Sequence, residues 1–303
     1  MKKPLFNKVV IAGVGLMGGS LGLALRKKRL VREVVGLVRR QETIREAMKV
    51  GSIDRGTLAI PEALQASDLV VLGCPVSQAP ELLTTMLPFI PKGCIVTAQG
   101  STKEVMLKQI AALLPKRPAF SFASSHPMAG SEKAGVAAAR ADLFDGALCL
   151  LIRETWTDEA ALKRLRNFWQ KVGCTRFLTV KAAEHDALTA AASHLPHATA
   201  ACLANVVADL SQKQPDIREV AATGFRDTTR VAAGLPGMWA DILMTNRKEV
   251  AGDLARLQKR IARVIKLLQS GSLGALETEL ARAREFRLSM ESRLPQKSKG
   301  EDA

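Results

Sequence analysis

The chain has 303 residues, 47% of them hydrophobic, and a formal charge of +15, which gives ample apolar material for two ordinary domain cores. Only 4% of residues are aromatic, so base-stacking surfaces for nucleic acid are not expected, and no stretch offers the ~20 apolar residues of a membrane span. Five scattered cysteines without a CxxC pair argue against a disulfide framework or a cysteine zinc site and fit a reducing cytoplasm.

The first 25 residues, MKKPLFNKVVIAGVGLMGGSLGLAL, pair lysines with an apolar run as a secretory leader does, but five glycines interrupt it. Their spacing has another explanation. The strand candidate KVVIAG runs into Gly13, Gly15 and Gly18, and a helix candidate spans Met17 to Lys28. The first glycine permits a tight turn, the second lets backbone approach a pyrophosphate, and the third lets the helix pack on the strand. Leu16 and Met17 lie inside this loop, at a helix N-terminus whose N–H groups and dipole favour an anion. A dinucleotide is the expected ligand.

Cofactor choice is read at the end of the next strand candidate, EVVGLV, where an acid would bind the ribose 2′-hydroxyl of NAD. Arg39 and Arg40 stand there instead, and guanidinium groups suit a 2′-phosphate, so NADP is expected, with NAD possible. At the end of the strand candidate DLVVLGCP and just past it, Pro75 and Ser77 join the expected cofactor edge. CIVTAQG leads into the loop QGSTK with Ser101, AFSFASS leads into SSHPMAGSE with His126, and ALCLLI closes the series. Strands alternating with helix-length connections predict an α/β fold, a doubly wound Rossmann-type parallel sheet over residues 1–152.

After a boundary near Arg153 the texture becomes helical, with candidates Asp158 to Val172, Ala182 to Ala192, His197 to Gln212, Met238 to Gln269 and Leu273 to Ser292. CTRFLTV is the one strand-like interruption. A mainly α-helical domain over 153–292 is expected, then a disordered tail at 293–303, leaving too few residues for an appended effector-binding domain. Arg256, Lys259, Arg260 and Arg263 recur at helical spacing and read as a solvated face.

The four histidines are His126, His185, His194 and His197. Pro196 between the last two breaks the ladder that an HxxxH zinc face uses, so no metal is expected. His126 stands at the carboxyl edge of the sheet, where it is either a general base or a capping or core histidine. Ser101 is placed to orient its imidazole.

The motifs GVGLMGGS, QGSTK, HPMAGSE, EHD, SHLPH, GFRDTTR and MWADI, in this order from about Asn7 to Ser292, resemble those of the prephenate and arogenate dehydrogenases of tyrosine biosynthesis. The resemblance implies a Rossmann domain followed by a helical domain that dimerises with a second copy. It implies that His126 accepts the ring-hydroxyl proton of a cyclohexadiene, with Ser101 beside it. Arg230 then binds a substrate carboxylate, and Glu132 pairs with that arginine near the entrance. Ser131, His185, His194, His197 and Trp239 match positions around the pocket, with Trp239 reaching from the partner subunit. Two departures are Ala98, where the family often has aspartate, and Ala240, where a second arginine is common. Arg226 is expected to form a structural ion pair with Asp227.

The activity implied is oxidative decarboxylation of prephenate to 4-hydroxyphenylpyruvate and CO2, with hydride passing to NAD(P). His197, as a donor to a keto group, favours prephenate. The alternatives are an arogenate dehydrogenase giving tyrosine, another two-domain β-hydroxy acid dehydrogenase using Lys181 or Lys213, and a non-catalytic NADP-sensing protein. The expected partners are the small-molecule substrate and a second copy, with no nucleic acid and no membrane.

Overall fold

The computed structural model describes residues 4–116 and 118–291, so the expected tail at 293–303 lies outside the described residues. The first part runs β1 (Phe6–Ala12), α1 (Leu16–Lys27), β2 (Val31–Leu37), α2 (Gln41–Val50), β3 (Arg55–Thr57), α3 (Ile60–Leu64), β4 (Leu69–Leu72), α4 (Ala79–Met86), β5 (Ile95–Ala98), α5 (Glu104–Leu113) and β6 (Ser121–Phe122). These strands form one six-stranded sheet in the order β3-β2-β1-β4-β5-β6, parallel throughout. This is the doubly wound dinucleotide-binding order.

Strand periodicity builds a core on each face of this sheet. In β1, Val9 and Ile11 point into one core with Leu21, Leu25 and Ile53, while Val10 and Ala12 point into the other with Leu64, Leu83 and Ile110. Both faces are covered, so the strands are nearly continuous runs of β-branched and aliphatic residues.

The last two strand candidates depart from expectation. AFSFASS divides into β6 and β7 (Ser124–Pro127), and β7 leaves the parallel sheet to pair antiparallel with β8 (Leu148–Ile152). β8 in turn pairs parallel with β9 (Arg176–Val180), which lies within CTRFLTV, giving a second, three-stranded sheet. The expected domain break at 152/153 therefore cuts between two hydrogen-bonded strands. The helix between them, α6 (Glu159–Val172), also buries Phe168 and Trp169 in the core that holds Val9 and Ile11. Residues 153–180 complete the α/β part rather than opening the helical one.

The helical part comprises α7 (Ala182–Thr189), α8 (Leu195–Lys213), α9 (Ile217–Val220), α10 (Thr223–Thr229), α11 (Pro236–Thr245), α12 (Arg247–Gln269) and α13 (Leu273–Glu291). A π-helical turn at Ala190–His194 joins α7 to α8, so Pro196 does not end the helix; it occupies the first turn of α8. The missing proline N–H and its ring would disrupt a regular ladder, and the wider turn takes up that defect. The expected helix from Met238 to Gln269 breaks at Asn246, whose buried amide donates to the Asp186 carbonyl and meets His194 Nδ1 at 3.1 Å.

The chain forms two compact units, one ending at Val250 and one beginning at Ala251. In the second, Glu279 accepts from Arg260 at 3.0 Å and pairs with Arg263 at 3.1 Å, while Arg256 pairs with Asp253. Those arginine side chains remain at least half exposed, as the spacing suggested. Among the described residues no helix is long and apolar enough to cross a membrane, and no three His, Cys, Asp or Glu side chains are grouped to hold a metal ion.

Candidate active site

The glycine turn fits a dinucleotide by its own geometry. Gly13 has φ +104°, and a Cβ there would sit 2.7 Å from the Gly73 carbonyl oxygen. A Cβ at Gly18 would overlap the Gly13 carbonyl, whereas one at Gly15 would meet nothing within 4 Å. The open space thus lies where backbone must approach a phosphate. Helix α1 begins at Leu16 with no side-chain cap and no acid in its first turn, so its N-terminal N–H groups and positive dipole end suit an anion.

Gly15, Leu16, Met17, Gly18 and Pro75 line a cavity of about 660 Å³. Its wall continues through Ser101, His126, Ser131 and Glu132 to His194, Arg230 and Trp239. Gly13 and Ser77 lie off this wall, and the Ser77 N–H is taken by Asp241 Oδ2 at 3.3 Å. Arg39 and Arg40 are exposed beyond the end of β2, where the charge of Arg39 acts on the Cys74 thiol in the cavity wall.

His126 is the third residue of β7 and lies on a strand, not in a loop. Hydrogen bonds to the end of β5 and to Lys103 beyond it hold that strand in place. Ser124 Oγ donates to the Ala98 carbonyl at 3.1 Å, and Thr97 Oγ1 meets Ser125 Oγ at 3.2 Å. Lys103, wholly buried, donates to the carbonyls of Ala98 and Ser125, each at 2.9 Å, and burial pushes its ammonium down to about 7 against the pull of Asp186. At Ala98, where the family often has aspartate, it is the backbone carbonyl that this lysine holds.

The orienting partner of His126 is His185, with Nδ1 to Nε2 2.9 Å apart, and His185 Nδ1 lies 2.8 Å from Asp186 Oδ1. Asp186 also accepts the backbone N–H groups of Lys103 and Glu104 at 2.8 Å each, capping α5 from another element. Two backbone N–H donors converge on this side chain and favour its carboxylate form, although burial raises its pKa. The tautomers follow in sequence. The carboxylate fixes the proton of His185 on Nδ1, the free Nε2 accepts the His126 Nδ1 proton, and the basic lone pair of His126 is left on Nε2. Ser101 lines the same cavity but makes no hydrogen bond to His126 among the described residues. His185 is fully buried behind His126, away from the cavity wall where substrate contact was expected. Asp186 and Lys103 lie within EHD and QGSTK, and only their tertiary meeting marks them as functional.

At the rim, Arg230 Nη1 donates to Glu132 Oε2 at 3.0 Å, the pairing expected of these two residues. Arg226 forms no ion pair with Asp227 among the described residues; adjacent helix positions point apart. Trp239, expected from a partner subunit, stacks on His197 of its own chain with centroids 3.5 Å apart and planes 9° apart. Helix α11 carries Trp239 to that contact and lines the pocket with Met238, Asp241 and Ile242. His197 lies behind the tryptophan, off the cavity wall, with its Nδ1 buried and without a hydrogen-bond partner among the described residues.

All four histidines are held below their ordinary pKa, chiefly by burial: His126 well below, His185 to about 2, His194 to about 4, and His197 lowered. A depressed histidine binds its proton more readily in the unfolded chain, so its contribution to stability is full above about pH 6.5 and shrinks as pH falls toward the folded value. The melting temperature is expected to fall by on the order of 5–10 °C between pH 7 and pH 5. Calorimetry over that range checks this, and a flat profile contradicts neutral, buried imidazoles.

The family described as "Prephenate dehydrogenase, nucleotide-binding domain" matches residues 21–178, and "Prephenate dehydrogenase, dimerization domain" matches residues 181–282. The prephenate dehydrogenase of Bacillus subtilis (strain 168) is 34% identical over 245 residues, which cover 80% of this chain and 65% of that protein. That of Lactococcus lactis subsp. cremoris is 31% identical over 286 residues, 94% of this chain and 78% of that one. Among solved structures, prephenate dehydrogenase from A. aeolicus in complex with hydroxyphenyl propionate and NAD+ superposes with a TM-score of 0.86 at 30% identity, covering 94% of this chain and 98% of that one. With both halves matched and relatives above 30% identity along most of its length, the chain belongs to the prephenate dehydrogenase family.

Proposed function

We propose that the chain catalyses the oxidative decarboxylation of prephenate to 4-hydroxyphenylpyruvate and CO2, with hydride transfer to a nicotinamide cofactor. The observation that carries this reading is the Asp186–His185–His126 relay, which ends in a basic nitrogen on the same cavity wall as the phosphate-binding turn. When bound, the nicotinamide supplies the hydride acceptor. His126 Nε2 takes the proton of the ring hydroxyl, which strengthens hydride release from the carbinol carbon. The Asp186 carboxylate steadies the charge that the imidazole pair acquires. Arg230 holds a substrate carboxylate at the rim, and Glu132 keeps its guanidinium there. Loss of the ring carboxylate then leaves an aromatic phenol, which makes the step downhill.

Ser101, Ser131, His194 and Trp239 complete the substrate wall, with His197 stacked behind Trp239 as its support. Arg39 and Arg40 support NADP as the preferred cofactor, with Gly13, Gly15, Leu16, Met17, Gly18, Pro75 and Ser77 at the phosphate and ribose end. Residues through β9 carry the cofactor, the matched stretch 181–282 makes the homodimer contact, and the five free cysteines suit the cytoplasm. Arg39→Asp is expected to shift the ratio of Michaelis constants toward NAD by ~10-fold or more, and an unchanged ratio removes Arg39 from cofactor choice.

The reading as a whole is tested with purified protein. Prephenate and arogenate are each crossed with NAD+ and NADP+, while reduced-cofactor absorbance and CO2 release are followed together. Stoichiometric CO2 with prephenate is expected. Cofactor reduction without CO2 points to a hydroxy acid dehydrogenase, and binding without turnover on either acid points to a sensor.

A further inference from the structure

We propose that Gln99 reads the carboxamide of the nicotinamide, amide against amide, an inference that rests on the nicotinamide reading above. Gln99 follows β5 at the carboxyl edge of the sheet, and its backbone N–H donates to the Leu72 carbonyl at 3.3 Å, tying it to the end of β4. The residue is only 6% exposed, yet neither Oε1 nor Nε2 has a hydrogen-bond partner among the described residues. A buried amide with both its donor and its acceptor unmatched is costly and calls for a ligand that presents the complementary pair.

The position narrows what that ligand is. Gln99 lines the same cavity as Gly15 and Gly18 of the phosphate turn and as His126, so a ligand that meets it is one that reaches from that turn toward the base. A Cβ on Gly73 would come 3.0 Å from Nε2 and 2.9 Å from the Gly13 carbonyl, so the glycine at the end of β4 leaves the amide its room. A pyrophosphate offers acceptors alone and leaves the glutamine carbonyl unmatched. A carboxamide offers an N–H to Oε1 and a carbonyl to Nε2 in one plane, which satisfies both atoms and fixes the rotation of the pyridinium ring facing His126. Gln99 is thus a positioning contact for the ring that receives hydride.

The test is calorimetric binding, which needs no turnover. The better bound of NAD+ and NADP+ is compared with the matching ADP-ribose, which lacks only the nicotinamide, and with the 3-acetylpyridine analogue, in which a methyl replaces the carboxamide NH2. In the wild type the acetylpyridine analogue is expected to bind ~10-fold more weakly than the parent cofactor. In Gln99→Leu that difference disappears and the ADP-ribose affinity stays at its wild-type value. Equal loss of ADP-ribose and cofactor affinity in the variant moves the contact to the ribose and overturns the proposal. Should Gln99→Leu fail to fold, the wild type decides alone: equal affinity for parent and analogue overturns it. If neither the cofactors nor the ADP-riboses bind the wild type, the nicotinamide reading itself falls.

Discussion

Replacing His126 with asparagine lowers turnover by about 10²–10⁴-fold and leaves the affinity for prephenate within a few-fold of wild type. The asparagine keeps roughly the volume of the ring and a polar atom toward His185, but it has no lone pair able to take the hydroxyl proton near neutral pH. His126 is held well below its ordinary pKa by burial and by the charges of its neighbours, so the wild-type base is neutral at pH 7. The acid limb of kcat/KM is therefore expected below pH 6.5 in the wild type and absent in the variant. Steady-state kinetics from pH 5 to 8 checks both statements. Wild-type turnover in His126→Asn removes the imidazole from the chemistry, whatever the cavity looks like.

Asp186→Asn is the second large effect, with kcat expected to fall by about 10²–10⁴-fold although the residue touches neither substrate nor cofactor. The carboxylate accepts from three donors: the N–H groups of Lys103 and Glu104 and Nδ1 of His185. An amide offers one oxygen and one NH2. If the oxygen stays toward His185, the NH2 faces the Glu104 N–H and the cap of α5 weakens by about 1 kcal/mol. If it turns, the NH2 donates to His185 Nδ1, the His185 proton moves to Nε2, and His126 must accept at Nδ1. The proton of His126 then sits on Nε2 and the base is lost. Nitrogen-15 chemical shifts of the two imidazoles separate these outcomes from simple unfolding. Loss of activity with wild-type tautomers and a lowered melting temperature means that Asp186 is only a cap. Inverted tautomers in a folded protein mean that it sets the base.

These two predictions divide between sequence and structure. His126 is legible in the sequence because it follows a strand candidate at the carboxyl edge and sits within HPMAGSE. The glycine turn is equally legible, since Gly13, Gly15 and Gly18 each answer to a local backbone demand and the structure gives each the expected surroundings. Asp186 is not legible in this way. It stands beside a histidine in an ordinary helical segment, and what makes it functional is its distance from Lys103, Glu104 and His185, which are brought together from two elements 82 residues apart. Gln99 is silent for the same reason: only burial shows that its amide lacks a partner.

By itself the sequence determined the parallel α/β sheet, the phosphate turn and the helical second half, and it singled out His126 as the candidate base. Each depends on local periodicity or on backbone geometry that neighbouring residues impose. Only the tertiary structure decided that β7 leaves the main sheet for β8, that β9 completes the α/β part, that Trp239 stacks on His197 of its own chain, and that a carboxylate lies behind two imidazoles in hydrogen-bond reach of one another. The physical reason is that hydrogen-bond networks and ring stacking depend on distances of a few ångströms between residues remote in the chain, which the order of residues along it does not express.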